Sequence, residues 1–256
     1  MLKILCVGDV VGDSGTELVR RRLPALKKEL GAQMCILNGE NADTSGTGIH
    51  RSLAEELQRC GADIVTTGNH ALRRAKPSFY EESETVLAPA NYYWSSLAHG
   101  SCLYDLGRFS VAVLDLSGAS FLDAARSPYE VFDEFYSRCE TPFVVVDFHG
   151  EATAEKLALA YYAAQRASVV FGTHTHVQTA DAGVLPGGCG YITDLGMTGP
   201  TQSVIGVRPE LAIQKQRLHL PTRFEVASGP SALCGALFSL DEKSGRCLSA
   251  EAVKIL

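Results

Sequence analysis

A chain of 256 residues with 46% hydrophobic content is long enough for one large domain with a sizeable buried core. With 23 basic against 29 acidic residues the formal charge is −6 and no long basic run occurs, which argues against a binder of long nucleic acids. The eight cysteines, at 6, 35, 60, 102, 139, 189, 234 and 247, form no C-x-x-C pair; they argue against a cysteine-built zinc site and read as reduced core thiols of a cytoplasmic protein.

The first apolar stretch, Leu2 to Val7, predicts a buried strand. With Met1 it is too short for a signal peptide, and no run elsewhere is long enough to span a membrane. It leads into Gly8-Asp9-Val10-Val11-Gly12-Asp13. Glycines 8, 12 and 15 are spaced G-x3-G-x2-G, not the G-x-G-x-x-G of a dinucleotide-binding turn, so that reading is rejected. Ser14 is the expected cap of a helix whose Val19, Leu23, Leu26 and Leu30 share one face, and Pro24 is expected to kink or split it. A second strand, Met34 to Leu37, delivers Asn38-Gly39-Glu40-Asn41. A helix from about Ser52 to Cys60 ends at Gly61, and a third strand, Asp63 to Thr67, delivers Gly68-Asn69-His70. Strand, polar loop and helix recur in this way, which predicts βαβ units and a largely parallel sheet.

Beyond Leu87 the pattern changes. Leu103 to Leu106 and Phe109 to Leu116, around Gly107-Arg108, read as a hairpin, and Pro128 confines any helix between Phe121 and Cys139 to the part after it. Pro142 to Phe148 is a strand that presents His149-Gly150-Glu151, and Ala152 to Arg166 is helix-prone. Val169-Val170-Phe171-Gly172 is a buried strand that ends in Thr173-His174-Thr175-His176. The tail contains Tyr191 to Thr193, Arg223 to Ala227, Leu233 to Leu240 and a final strand Ala250 to Leu256, with a turn at Asp241 to Gly245. Gly196 to Pro221 reads as a long irregular excursion that covers a site or contacts another subunit. No repeat, low-complexity tract or linker occurs, so residues 1–256 read as a single α/β domain with a mixed sheet in one layer or two.

The polar residues at the strand ends are Asp9, Glu40, Asn41, Asn69, His70, His149, His174 and His176. Singly each has an ordinary explanation: a turn or cap for Asp9 and Asn69, a solvated charge for Glu40, a satisfied histidine for His149. Jointly, after five apolar strands, they supply the carboxylate oxygen, amide oxygen and imidazole nitrogen that two neighbouring divalent ions require, with Glu40 able to bridge. His50, His99 and His219 stand apart and read as surface residues. Tyr92, Tyr93 and Trp94 form a loop cluster that either packs or stacks on a base.

Gly8-Asp9, Gly39-Glu40-Asn41, Gly68-Asn69-His70, His149 and Gly172 to His176 resemble the ordered motifs of calcineurin-like metallophosphoesterases. The stretches GDVVG, NGENA, GNH, DFHGEATAEKLALA, GTHTHVQTAD and YITDLGMTGP resemble the YmdB-like bacterial branch over essentially the whole chain. The resemblance implies a four-layer αββα sandwich and a cyclic-nucleotide phosphodiesterase with two ions, iron or manganese, zinc and magnesium being alternatives. Carried over by motif, Asp9, Glu40 and His176 hold one ion, with Asn41 a further ligand, and Glu40, Asn69, His149 and His174 hold the other. Position 11 is valine where the broad superfamily has the histidine of D-x-H, and a glutamate replaces its bridging aspartate; both departures fit the branch. A homo-oligomer is expected on the same grounds.

Two such ions lower the pKa of a bound water to about 7 and aim it in line at phosphorus, so little covalent chemistry is left to the protein. His70, next to Asn69, is placed to protonate the leaving oxygen or, alternatively, to orient Asn69. Asp147, two residues before His149 on the same strand face, and Glu151 are candidates to hydrogen-bond a ligand imidazole. The expected substrate is a 2′,3′- or 3′,5′-cyclic nucleotide or another small phosphodiester. Phosphomonoesters and short RNA would use the same site, and a regulatory scaffold with incidental turnover is the alternative from another class.

Overall fold

The computed structural model describes residues 1–256. In chain order the elements are β1 (Leu2–Val7), α1 (Gly12–Leu30), β2 (Met34–Asn38), α2 (Arg51–Arg59), β3 (Ile64–Thr66), α3 (Pro77–Glu81) and α4 (Leu97–Gly100). There follow β4 (Ser101–Asp105), β5 (Ser110–Ser117), α5 (Pro128–Tyr136), β6 (Phe143–His149), α6 (Thr153–Ala163) and β7 (Val169–Thr173). The chain closes with β8 (Gly183–Leu185), β9 (Cys189–Ile192), β10 (Gly199–Pro200), α7 (Pro209–Leu218), β11 (Ser231–Leu240) and β12 (Cys247–Ile255).

The strands form two six-stranded sheets. One runs β10-β11-β1-β2-β3, with β12 also on β11, and the other β4-β5-β6-β7-β9-β8. β1, β2 and β3 are mutually parallel, as are β5, β6, β7 and β9. Apolar alternation explains the layering. Leu2, Ile4 and Cys6 of β1 face Val113, Val145 and Phe171 across an inter-sheet core, whereas Leu5 and Val7 pack on Leu23 and Leu26 of α1. On the far side Leu114, Val144 and Val146 meet Phe132 of α5 and Leu159 of α6. Helix, sheet, sheet and helix therefore make the four-layer αββα sandwich.

Several local expectations are corrected. Helix α1 begins at Gly12 and is uninterrupted through Pro24, and Ser14 lies inside it without capping it. Pro24 is exposed, and the carbonyl it deprives of a partner, that of Arg20, sits on the exposed face where water can satisfy it. The excursion from Gly196 is partly regular: β10 pairs with β11, and α7 starts with Pro209 in its first turn, where a missing N–H does no harm. Arg223 to Ala227 makes only one isolated bridge, Val226 to Val207.

Candidate metal centre

Parallel strands in this sandwich end on one side, and every donor leaves such an end. Asp9 lies two residues after β1, Glu40 and Asn41 follow β2, and Asn69 and His70 follow β3; His149 closes β6, and His174 and His176 follow β7. The first three ends belong to one sheet and the last two to the other. The donors thus meet across the mouth between the sheets.

His149 Nε2 is the centre of the tighter group, with Asn69 Oδ1 at 2.9 Å, His174 Nδ1 at 3.0 Å and Glu40 Oε1 at 3.3 Å. Ligand atoms of Glu40, His149 and His174 all lie within 4.8 Å of one another. One ring nitrogen carries at most one proton, so these contacts cannot all be good hydrogen bonds; a cation coordinated by all four atoms resolves the crowding. Gly68 passes so close that a Cβ there would come within 2.4 Å of Glu40 Oε2 and His149 Nε2. Only glycine fits beside the donors.

A looser group adjoins it. His176 Nε2 lies 3.3 Å from Asn41 Oδ1 and 3.9 Å from Asp9 Oδ1. Asp9 is fully buried; its Oδ2 accepts the His174 N–H at 3.3 Å, but its Oδ1 has no hydrogen-bond donor. A buried carboxylate oxygen without a partner is costly, and a cation beside it supplies the missing interaction. The donor set fits metal ions on this ground as well as on its chemistry.

His174 and His176 both adopt positive φ, 100° and 64°, which is uncommon for side chains with a Cβ. This alternation sends their rings apart, His174 toward His149 and His176 toward Asn41 and Asp9. The back of each ring is held: Glu151 Oε2 lies 2.9 Å from His174 Nε2, and the Ile205 carbonyl 2.8 Å from His176 Nδ1. The excursion therefore reaches the site. Asp147 does not bond His149 directly. Thr173 stands between them, its hydroxyl donating to Asp147 Oδ1 at 2.8 Å and lying 3.0 Å from His149 Nδ1. Thr66 and Asn38 donate to the other oxygen of Asp147. His70 turns toward Glu40, with its backbone N–H on Oε2 at 3.0 Å and Nδ1 3.3 Å from Oε1; Asn41 Nδ2 lies 3.2 Å from the same Nδ1.

Burial disfavours charge throughout the site, and the groups respond in pairs. Burial raises Glu40, but His149 and His70 outweigh it and hold the carboxyl well below its ordinary range. Burial lowers His149, but Glu40 above all outweighs it and pushes the imidazole up to about 9. Burial and the neighbouring His149 push His174 down to about 4, so it presents a neutral nitrogen. Burial raises Asp9 against the opposing pull of His176, and it raises Asp147 to about 6.

Two positioning residues escaped the sequence reading. Lys156 of α6 is 1% exposed, and its Nζ donates to the Thr173 carbonyl and to Asp194 Oδ2, both at 2.7 Å. Asp194 in turn accepts from Thr175 N at 3.0 Å and Gly196 N at 2.8 Å. This buried pair pins the histidine loop from behind. Lys156 shares a helical stripe with Leu159, Ala160 and Ala163, all buried, which is the signal that could have found it. Asp194 obeys the strand-end rule, two residues after β9.

The family model described as YmdB-like protein matches residues 5–253. The 2′,3′-cyclic-nucleotide 2′-phosphodiesterase of Bacillus subtilis is 38% identical over 257 residues, covering 99% of this chain and 97% of its own. Among solved structures, one described as a hypothetical protein from Thermus thermophilus superposes with a TM-score of 0.91 at 33% identity over 99% of both chains. Another, described as a novel phosphatase of Mycoplasma pneumoniae, gives a TM-score of 0.91 at 29% identity, covering 99% of this chain and 93% of that one.

Proposed function

The chain belongs to the YmdB-like family, and from that membership and the converging donors we propose that it hydrolyses 2′,3′-cyclic nucleotides at the P–O2′ bond, releasing nucleoside 3′-monophosphates. As a member of that family it is a hydrolase of phosphoric diesters. The observation that carries the finer reading is the meeting of Glu40, Asn69, His149 and His174 around one point at the mouth of both sheets.

Glu40, Asn69, His149 and His174 would hold one ion, and Asp9, Asn41 and His176 together with Glu40 would hold a second, iron or manganese. Bound there, such ions supply an acidified water and neutralise charge on the phosphoryl oxygens. The chain's own residues do the rest. Glu151 and the Asp147–Thr173 relay fix the rings of His174 and His149, so the donors need no rearrangement when substrate arrives. As the P–O2′ bond breaks, the departing oxygen needs a proton. His70 provides it through Nε2, which has no hydrogen-bond partner in the protein, while its Nδ1 stays beside Glu40.

The test is a turnover comparison at fixed manganese of 2′,3′-cyclic AMP, 3′,5′-cyclic AMP, adenosine 3′-monophosphate and a short RNA. The 2′,3′-cyclic ester should be cleaved with the highest kcat/KM and yield the 3′-monophosphate. Preferential cleavage of the monoester would overturn the substrate reading.

A further inference from the structure

Beside the donors lies a cavity of about 360 Å3 that shares Gly68 and Asn69 with them. Its rim is aromatic and open: Tyr93 is 92% exposed and Phe121 88%. Folded proteins usually cover most of such rings. The neighbouring aromatics are already engaged. Tyr92 stacks on Trp94 at 6.3 Å between ring centroids and pairs its hydroxyl with Ser117, and Trp94 packs in turn on Tyr80 at 5.7 Å. Tyr92 and Trp94 therefore form a fixed floor, and Tyr93 and Phe121 present faces with nothing on them. Phe121 also sits at φ 63°, a left-handed conformation that bulky side chains adopt only where their surroundings impose it, and such residues gather at ligand clamps.

We propose that this cavity is the nucleobase subsite, in which Tyr93 and Phe121 stack the base of a substrate whose phosphate lies at Asn69. The proposal rests on the phosphodiesterase reading above. The cavity's volume is at the small end of small-molecule sites, about 300–1,000 Å3, which suits a base rather than a peptide segment. It opens on Asn69, one of the donors beside which the phosphodiesterase reading puts the phosphate. Exposed Asp123 and Arg73 on its wall offer an acceptor and a donor to the polar edge of a base. Stacking on open aromatic faces accepts every base, so the subsite confers nucleotide over non-nucleotide preference rather than selection of one base.

Calorimetric binding of adenosine 3′-monophosphate and of inorganic phosphate to the manganese-loaded protein tests this directly, alongside kcat/KM for 2′,3′-cyclic AMP and for 1-O-methylribose 2′,3′-cyclic phosphate, which lacks a base. Tyr93→Ala and Phe121→Ala should each lower the ratio of nucleotide to phosphate affinity, and the ratio of the two kcat/KM values, by about 5- to 100-fold through KM. Tyr93→Phe, which keeps the ring, should restore both ratios. Unchanged ratios in both alanine variants would overturn the proposal. If no phosphodiester were cleaved but nucleotide binding still depended on the two rings, the phosphodiesterase reading would fail and the base site would stand.

Discussion

His70 touches Glu40 twice and leaves its other ring nitrogen unpartnered, so the proposed reading gives one residue both a holding and a proton-transfer role. His70→Ala should retain bound metal and lose about 10²- to 10⁴-fold in kcat on 2′,3′-cyclic AMP, whose alkoxide leaving group needs a proton. The loss should be much smaller on bis-p-nitrophenyl phosphate, whose leaving group departs unprotonated. Metal content and kcat on the two substrates read this together; loss of metal along with rate would reduce His70 to a support for Glu40. At this scale the sequence was informative wherever a charged or ligating side chain followed an apolar run, because burying such a group at a strand end needs a compensating reason. It was silent on Thr173. A neutral hydroxyl carries no such cost, and its place between Asp147 and His149 arises only when β6 and β7 pair with His149 opposite Thr173.

The histidine loop depends on its supporting elements. At Gly172 an added Cβ would lie 1.9 Å from the Thr193 carbonyl oxygen and 2.8 Å from Lys156 Cδ, so the strand β7 can approach β9 and α6 only as glycine. Gly172→Ala should destabilise the fold by about 3 kcal/mol, as overpacking against backbone does. Lys156→Met should cost about 3–5 kcal/mol, because Asp194 is left buried without its partner. Asp194→Asn in the Lys156→Met background should recover part of that loss. Denaturant unfolding checks all three, and a Lys156→Met protein of parental stability would remove the pair from the account. The pair was missed because a lysine in a helix reads as solvated unless its place in the stripe of Leu159, Ala160 and Ala163 is weighed. Pro24 misled in the converse way: the helix continues through it, with the freed Arg20 carbonyl on the exposed face. The helix α7 was hidden because its face is mostly exposed and lacks an apolar stripe.

The molecule as a whole places the site where two sheets end together, and the continuous apolar runs of strands buried on both faces were the strongest signal in the sequence. The edge strands of both sheets were less legible: β10 at the rim of one and β8 at the rim of the other have only 2 and 3 residues, too few for any periodicity. The same layering buries the thiols. No disulfide forms; burial pushes Cys35, Cys102 and Cys189 up to about 12 and Cys247 up to about 11. Because only the thiolate reacts and these raised values leave almost none near neutral pH, the native protein should react slowly with a thiol reagent at pH 7.5, and all eight cysteines should react once it is unfolded. Rapid native labelling of any cysteine other than the partly exposed Cys60 and Cys139 would contradict this burial. The central claim, that both sheets converge on a metal centre that cleaves cyclic phosphodiesters, is tested most directly by titrating manganese into chelator-treated protein while following 2′,3′-cyclic AMP hydrolysis and bound metal per chain. Activity should be absent at the start, rise with bound metal to a plateau near two ions, and fail to rise in His149→Ala; full turnover in the metal-free protein would contradict it.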